Sequence, residues 1–378
     1  MREVLGRMSM SQANPIGWGI LGTGNVARRF AADFSYIKDA RLVGVASRRQ
    51  ETARTFGERF GIPRQYGSYQ ELVDDPDIQA IYIATPASVH KDNIKTCLTA
   101  GKAVLCEKPL TVTGREAEEV IALAHRKQVF LMEAMWTRFL PIMKKLRDLL
   151  AQGVIGDIRH FMADLGSPAP FDPHSRIFNS ELGGGAMLQR GIYLLSLANM
   201  ILGPPSGVKS LSIKGESGVE EVTGFLLKYG CHGLATLWCS ISIGGQREGT
   251  IMGTAGLLKI HSPINCPSAI TVQDLQGQTT PHALTLSDRA PTLKYRLSQY
   301  AKGKWFFRIL RERFPVFSNR VLHGIHTTTF YDPPIGEGLH YQITEVNRCL
   351  RAGMLESPIM PWNESLIIMR TMDQIRNQ

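Results

Sequence analysis

Pro15-Ile16-Gly17-Trp18-Gly19-Ile20-Leu21-Gly22-Thr23-Gly24-Asn25-Val26-Ala27 is the stretch that decides the fold. An apolar run enters a glycine turn and then a helical pattern through Phe34, so it reads as strand, turn and helix. The spacing is G-x-G-x-x-A. Gly22 permits the tight turn, Gly24 removes a side chain where a pyrophosphate approaches, and Ala27 lets the helix pack closely on the strand. The anion is expected at the helix N-terminus, among Thr23, Asn25 and Val26. Taken alone, the pattern fits a glycine turn without a ligand equally well, so the argument passes to the units that follow.

The next strand, Leu42 to Ala46, ends in Ser47-Arg48-Arg49, with no acid for ribose hydroxyls. A hydroxyl and two guanidiniums suit a 2′-phosphate, which predicts NADP(H) in preference to NAD(H). The plainer alternative is a solvated arginine pair at a helix start. A third strand, Ile78 to Ala84, ends in Thr85-Pro86, expected to line a nicotinamide site. His90 then starts a helix that Gly101 stops.

Val104-Leu105-Cys106-Glu107-Lys108-Pro109-Leu110 is an apolar run ending in an acid, a base and a proline. It reads as a buried parallel strand that the proline terminates, leaving Glu107 and Lys108 at its carboxyl end, where open α/β sheets bind ligands. Glu116 to Gln128 reads as a helix, and Val129 to Met135 as a sixth strand leading into Trp136-Thr137-Arg138-Phe139. Trp136 is a candidate pocket wall or a core residue. This βα alternation implies a doubly wound parallel sheet.

With 378 residues, the chain is long for one core. The expected plan is an extension over 1–14, a dinucleotide domain over 15–137, an α/β domain over 138–337, and a helical segment over 338–378 returning to the first domain. Short alternating runs between Gly156 and Leu165 and between Val208 and Ile260 predict a large, mainly antiparallel sheet in the second domain. A net charge of +10 favours anionic partners without choosing among them. Six scattered cysteines without a Cys-x-x-Cys pair predict reduced thiols and a cytoplasmic setting. No stretch reaches the roughly 20 apolar residues of a spanning helix, and the segment before Pro15 lacks the apolar core of a signal peptide. No nucleic-acid module or metal-ligand spacing is found, so neither partner is expected.

Four ordered motifs together resemble the Gfo/Idh/MocA oxidoreductases: Gly22 to Ala27, Glu107-Lys108-Pro109, Glu133 to Phe139, and Gly183-Gly184-Gly185-Ala186-Met187-Leu188-Gln189-Arg190-Gly191-Ile192-Tyr193. Within that family the sequence looks most similar to the branch of dimeric dihydrodiol dehydrogenase and glucose-fructose oxidoreductase. The resemblance implies a Rossmann domain followed by an α/β domain whose sheet supports dimer contacts. It implies that Lys108 touches both the substrate hydroxyl and the nicotinamide, and that Tyr193 is the acid/base group. It also implies an aspartate where this chain has Gln189, an amide that binds hydroxyls but takes no proton.

Chemistry agrees with those roles. Oxidising an alcohol by hydride transfer leaves a proton to remove, and a nearby ammonium makes a tyrosine, with its free pKa of about 10, fitter for that work. Arg190 is expected either to face solvent or to favour an acidic substrate. The loop Phe171 to Asn179 supplies His174 and Arg176 as candidate substrate contacts, with Arg138 and Trp136 nearer the domain junction.

Lys294 to Arg320 interleaves basic and aromatic residues within an insertion near 283–325. It suits a peripheral contact with an anionic membrane or acidic protein, or simple packing on its own domain or a dimer mate. Two functions follow. One is an NADP-linked oxidoreductase acting on a secondary alcohol or carbonyl of a sugar, cyclic polyol or dihydrodiol. The other is a cofactor-binding regulator or scaffold of the same fold that has lost turnover.

Overall fold

The computed structural model describes residues 14–274 and 326–378. They form two compact units, each built on one sheet. The first runs to Leu110 and adds Glu118–Ala134 and Gly336–Trp362. Its strands are β1 (Ile16–Leu21), β2 (Ala40–Ala46), β3 (Arg64–Tyr66), β4 (Ala80–Ile83), β5 (Ala103–Glu107) and β6 (Leu131–Ala134). All pair in parallel in the order β3-β2-β1-β4-β5-β6, so the order reverses between β1 and β4. Helices α1 (Asn25–Asp33), α2 (Gln50–Phe60), α3 (Tyr69–Val73), α4 (His90–Thr99) and α5 (Gly114–Lys127) alternate with them.

The continuous apolar runs read from the sequence are the reason these strands sit inside. Every residue of β4 and β5 is buried, as parallel strands covered on both faces require. Trp18, Phe30, Phe34 and Tyr82 form an aromatic cluster that packs α1 on β1 and β4, with Phe30 and Tyr82 stacked at 3.8 Å. The helix His340–Arg351 is tied into the same core. Asn347 Oδ1 accepts from the Trp18 indole at 3.0 Å, and the buried Asp33 carboxylate accepts the backbone N–H groups of Glu337 and Leu339 at 2.7 and 2.6 Å.

The second unit comprises Thr111–Ala117, Met135–Ile335 and Asn363–Gln378. Its strands are β7 (Ile158–Gly166), β8 (Gly207–Lys214), β9 (Glu220–Tyr229), β10 (Gly233–Ser240), β11 (Gly249–Gly253), β12 (Gly256–Ile260), β13 (Ala269–Asp274) and β14 (His326–Tyr331). They pair in the order β14-β13-β12-β11-β7-β10-β9-β8, antiparallel throughout except for β7 with β10. Helices α6 (Pro141–Ala151) and α7 (Ile192–Leu202) belong to this unit, and α7 packs on β7 and β10. One face of the sheet is covered and the other open, as the burial alternation along β9 records.

Two elements differ from the sequence reading. Strands β13 and β14 were not expected. The final helix, Trp362–Arg376, leaves the first unit at Asn363 instead of returning wholly to it. Its hydrogen bonds explain why: Asp373 accepts from the Gly114 N–H at 2.7 Å, Arg376 donates to the Val112 carbonyl at 3.1 Å, and the Ile375 carbonyl accepts from the Ser210 hydroxyl at 3.0 Å. The expected 1–14 extension, apart from its last residue, and the basic stretch Lys294 to Arg320 lie outside the described residues. Among the described residues, no helix is long and apolar enough to cross a membrane.

Candidate active site

In the first unit, the parallel sheet brings the expected cofactor residues to one edge. Gly22 follows β1 with φ of +100°, a conformation that favours glycine, and a Cβ there would lie 2.8 Å from the Ala84 carbonyl oxygen. Gly24 precedes α1 with open space where a Cβ would stand, and Thr23, Asn25 and Val26 surround it. No side chain caps α1 and no acid occupies its first turn, so its leading N–H groups take no side-chain partner. That is the donor set a pyrophosphate takes.

At the end of β2, Ser47 is half-buried while Arg48 and Arg49 are exposed, and neither arginine forms an ion pair among the described residues. Burial pushes the Tyr69 phenol up, and the charge of Arg48 pulls against it, so these two side chains are neighbours. Thr85 and Pro86 end β4, and Glu107 and Lys108 end β5.

Around Lys108 the backbone is fixed by side chains. His90 spans two strand ends, with Nδ1 2.8 Å from the Pro109 carbonyl oxygen and Nε2 2.9 Å from that of Thr85. Asn93 donates to Thr85 Oγ1 at 2.9 Å, and Glu133 Oε1 accepts the Leu110 N–H at 2.9 Å. Glu107, expected to meet the cofactor, is buried and accepts from the Tyr82 hydroxyl at 2.5 Å, which assigns at least one of its oxygens to the core. Lys108 itself is half-buried. The bracing role of His90 was not legible as a motif. Its signal is only that a helix-start histidine falls between two strand ends.

In the second unit, a π-helical turn, Met187–Gly191, delivers Tyr193 into the first turn of α7. The Tyr193 side chain is buried, and its oxygen accepts from the Trp136 indole N–H at 3.0 Å. Trp136 therefore positions the phenol. Gln189 is also buried: its Oε1 accepts from Arg176 Nη1 at 3.0 Å, and its Nε2 donates to the Gly183 carbonyl at 2.9 Å. His174 lies exposed on the preceding loop, with Arg176. Arg190 departs from the solvent-facing alternative. It is half-buried and its Nε has no hydrogen-bond partner.

Arg138 requires a correction. It was expected to contact substrate, but it is only 1% exposed, and its guanidinium donates to the Ser196 hydroxyl and carbonyl at 2.8 and 2.7 Å and pairs with Glu364. Those bonds satisfy a buried cation from within, so Arg138 holds Trp136-Thr137-Arg138-Phe139 against α7. Among the described residues, no group of three or more His, Cys, Asp or Glu side chains is placed to hold a metal ion.

Comparison with known proteins gives a consistent result. Residues 16–135 match the model described as an oxidoreductase family with an NAD-binding Rossmann fold, and residues 143–259 match the GFO/IDH/MocA C-terminal domain. Trans-1,2-dihydrobenzene-1,2-diol dehydrogenase of Xenopus laevis is 33% identical over 96% of this chain and 97% of its own length. The enzyme of that name from Homo sapiens is 32% identical over 95% of each. Among solved structures, aldose-aldose oxidoreductase from Caulobacter crescentus superposes with a TM-score of 0.76 at 22% identity, covering 96% of this chain and 97% of its own. A 3-ketoreductase from Actinomadura kijaniata, in complex with NADP and TDP-benzene, gives 0.73 at 23%, covering 96% and 98%.

His90 generates a pH-dependent prediction. Burial pushes its pKa below the ordinary value and the charge of Lys108 adds to this, against the opposing pull of the two carbonyls. The unfolded chain takes up the proton near pH 6.5 and the folded chain only at lower pH, so stability falls as pH drops through that window. The slope is at most about 1.4 kcal/mol per pH unit, with no contribution above it. Urea unfolding between about pH 7.5 and 5 should show the stability gap between wild type and His90→Gln narrowing as pH falls. A gap that stays constant would show that the imidazole is not held neutral.

Proposed function

The chain belongs to the Gfo/Idh/MocA family of NAD(P)-dependent oxidoreductases acting on CH–OH groups, and from that premise we propose that it transfers hydride between NADP(H) and a secondary alcohol or carbonyl of a polyhydroxylated small molecule. A sugar, a cyclic polyol or a dihydrodiol is the substrate class. The reading is carried by the sheet edge of the first unit, where the uncapped α1 turn, the Arg48-Arg49 pair, Thr85-Pro86 and Lys108 stand at successive strand ends. The relatives named as dihydrodiol dehydrogenases support the alcohol chemistry.

The residues fit the cofactor. Gly22, Thr23, Gly24, Asn25 and Val26 would hold its pyrophosphate, Ser47, Arg48 and Arg49 its 2′-phosphate, and Thr85, Pro86, His90, Glu107 and Lys108 would border the nicotinamide, His90 and Glu107 by fixing the backbone there. When bound, the nicotinamide accepts or supplies hydride. The Lys108 ammonium holds the substrate oxygen and stabilises negative charge on it. Tyr193 takes the hydroxyl proton in oxidation and returns it in reduction. The Trp136 N–H, already directed at the phenol oxygen, favours the charge that builds there as the proton leaves. Gln189 does not relay protons. Its amide ties Arg176 to the Gly183 carbonyl and so shapes the loop that carries substrate contacts, His174 among them.

The proposal includes a cytoplasmic enzyme, and the six cysteines are unbridged. It also includes a homodimer or higher homo-oligomer formed through the open sheet face. Leu226, Thr236 and Met162 lie in register across β9, β10 and β7, with Leu234 and Leu211 exposed on the same face. A second copy of this face, aliphatic at Leu211, Leu226, Leu234 and Met162 with Lys209, Lys228 and His160 among them, is proposed as its cover.

Three outcomes test the reading. Lys108→Ala and Tyr193→Phe should each lower kcat/KM by at least about 100-fold while NADPH fluorescence titration still shows binding. Unchanged turnover in either variant refutes its role, and a wild type that binds NADPH but turns over no polyol or diol points to the regulator. Catalytic efficiency should favour NADPH over NADH, and Arg48→Ala should erode that preference; a wild type preferring NADH removes the 2′-phosphate assignment. In sedimentation velocity, the wild type should run as a dimer or larger and Met162→Glu/Leu234→Glu as a smaller species. A wild type that is monomeric at micromolar concentration rejects the sheet interface.

A further inference from the structure

In the second unit, Arg190 is a partly buried cation without a counter-charge among the described residues. Its Nε is buried and unpartnered, it makes no ion pair among the described residues, and its neighbours include Tyr193 and Arg176. Burial pushes its pKa down and the Arg176 cation adds to that, whereas Tyr193 and Cys239 work the other way; no carboxylate contributes. Of the nearer acids, Glu364 pairs with Arg138, and Glu220, whose Oε1 is buried without a hydrogen-bond partner, lies 3.9 Å from Arg376. The group between the two guanidiniums in sequence, Gln189, is neutral and already bonded through both ends of its amide.

A guanidinium remains charged at any physiological pH, so a half-buried one keeps its desolvation cost until an anion meets it. Arg138 shows the settled alternative within the same unit, bonded on several sides to Ser196 and Glu364. Arg190 has the burial without the bonds. It stands three positions before the proposed proton-transfer group, on the turn that enters α7, so neighbouring turns of one helical path present Arg190 and Tyr193 together. Arg176 reaches the same place from the loop, anchored by one nitrogen to Gln189.

We infer that the substrate is an anion, a polyhydroxylated carbonyl or alcohol bearing a carboxylate or phosphate, and that Arg190 binds its charged group with Arg176 beside it. Planar forked donors suit the paired oxygens of either group. This rests on the oxidoreductase reading, because Tyr193 is what makes the location a substrate site, and it narrows that reading to acidic substrates.

Calorimetric titration of the full chain with NADP+ present tests it by binding alone, using D-glucuronate, D-glucose 6-phosphate and D-glucose as probes. At least one of the two anions should bind about tenfold or more tighter than glucose, and which one does so identifies carboxylate or phosphate as the recognised group. Arg190→Gln should bring that ratio close to one, and Arg190→Lys should retain part of it. The inference is overturned if wild type shows no preference for either anion, or if Arg190→Gln leaves the ratio unchanged. If Arg190→Gln does not fold, the wild-type ratio and Arg190→Lys decide. Initial rates on the same sugars separate the two claims: anion preference in binding without any turnover defeats the oxidoreductase reading and leaves the anion site standing, whereas turnover without anion preference does the reverse.

Discussion

Parallel strands must all end on the same edge, and the chemistry of the first unit depends on that constraint. Four stretches separated widely in sequence finish there: the glycine turn after β1, Ser47-Arg48-Arg49 after β2, Thr85-Pro86 after β4 and Lys108 after β5. Reversal of strand order between β1 and β4 parts the connections on either side and opens a crevice for a dinucleotide. Burial sets the edge and polar bonds fix its detail. The His90 ring lies between the Thr85 and Pro109 carbonyl oxygens, donating to one of them according to its tautomer, and so links the ends of β4 and β5.

The second unit solves a different problem, holding a buried phenol in one orientation. α7 is apolar almost throughout and is buried from Ile192 to Asn199, which leaves little polar matter to direct Tyr193. The Trp136 indole supplies it, and Arg138, two residues on, anchors the tryptophan's segment to Ser196 on the following turn of α7. Trp136 and Arg138 thus form a support for Tyr193, Trp136 through its own hydrogen bond and Arg138 through the segment that carries Trp136. A π-helical turn ahead of α7 widens the backbone where Gln189 and Arg190 project, a distortion common where helices carry function.

Much of this was readable because local sequence dictated it. Gly22 is demanded by a turn that a side chain would obstruct, the runs ending at Ala46, Ala84 and Glu107 are apolar because both sheet faces are covered, and Pro109 marks where β5 stops. These signals occupy neighbouring positions. What escaped was fixed by distant ones. Strands β13 and β14 pair only with each other and β12, across a separation of about fifty residues that no local periodicity bridges. The final helix changes unit at Asn363 because Gly114, Val112 and Ser210 offer it partners, and nothing within the helix announces them.

The two arginines of the second unit show why a charge cannot be read from its neighbours in sequence. Arg138 sits in a family motif and invites assignment to substrate, yet its partner Glu364 lies 226 positions away and closes the matter inside the core. Arg190 follows a motif glutamine and invites assignment to solvent, yet the fold buries part of it and brings no acid. Sequence records that both are cations; only the fold records which has been neutralised. The same distinction divides the net positive charge of the chain. Arg29, Arg64, Arg348 and Arg351 are paired with carboxylates and serve the fold, whereas Arg48, Arg49 and Arg190 are paired with none among the described residues. An excess of cations becomes informative about ligands once the structural pairs are subtracted, and among those left are the pair at the end of β2 and the partly buried one beside Tyr193.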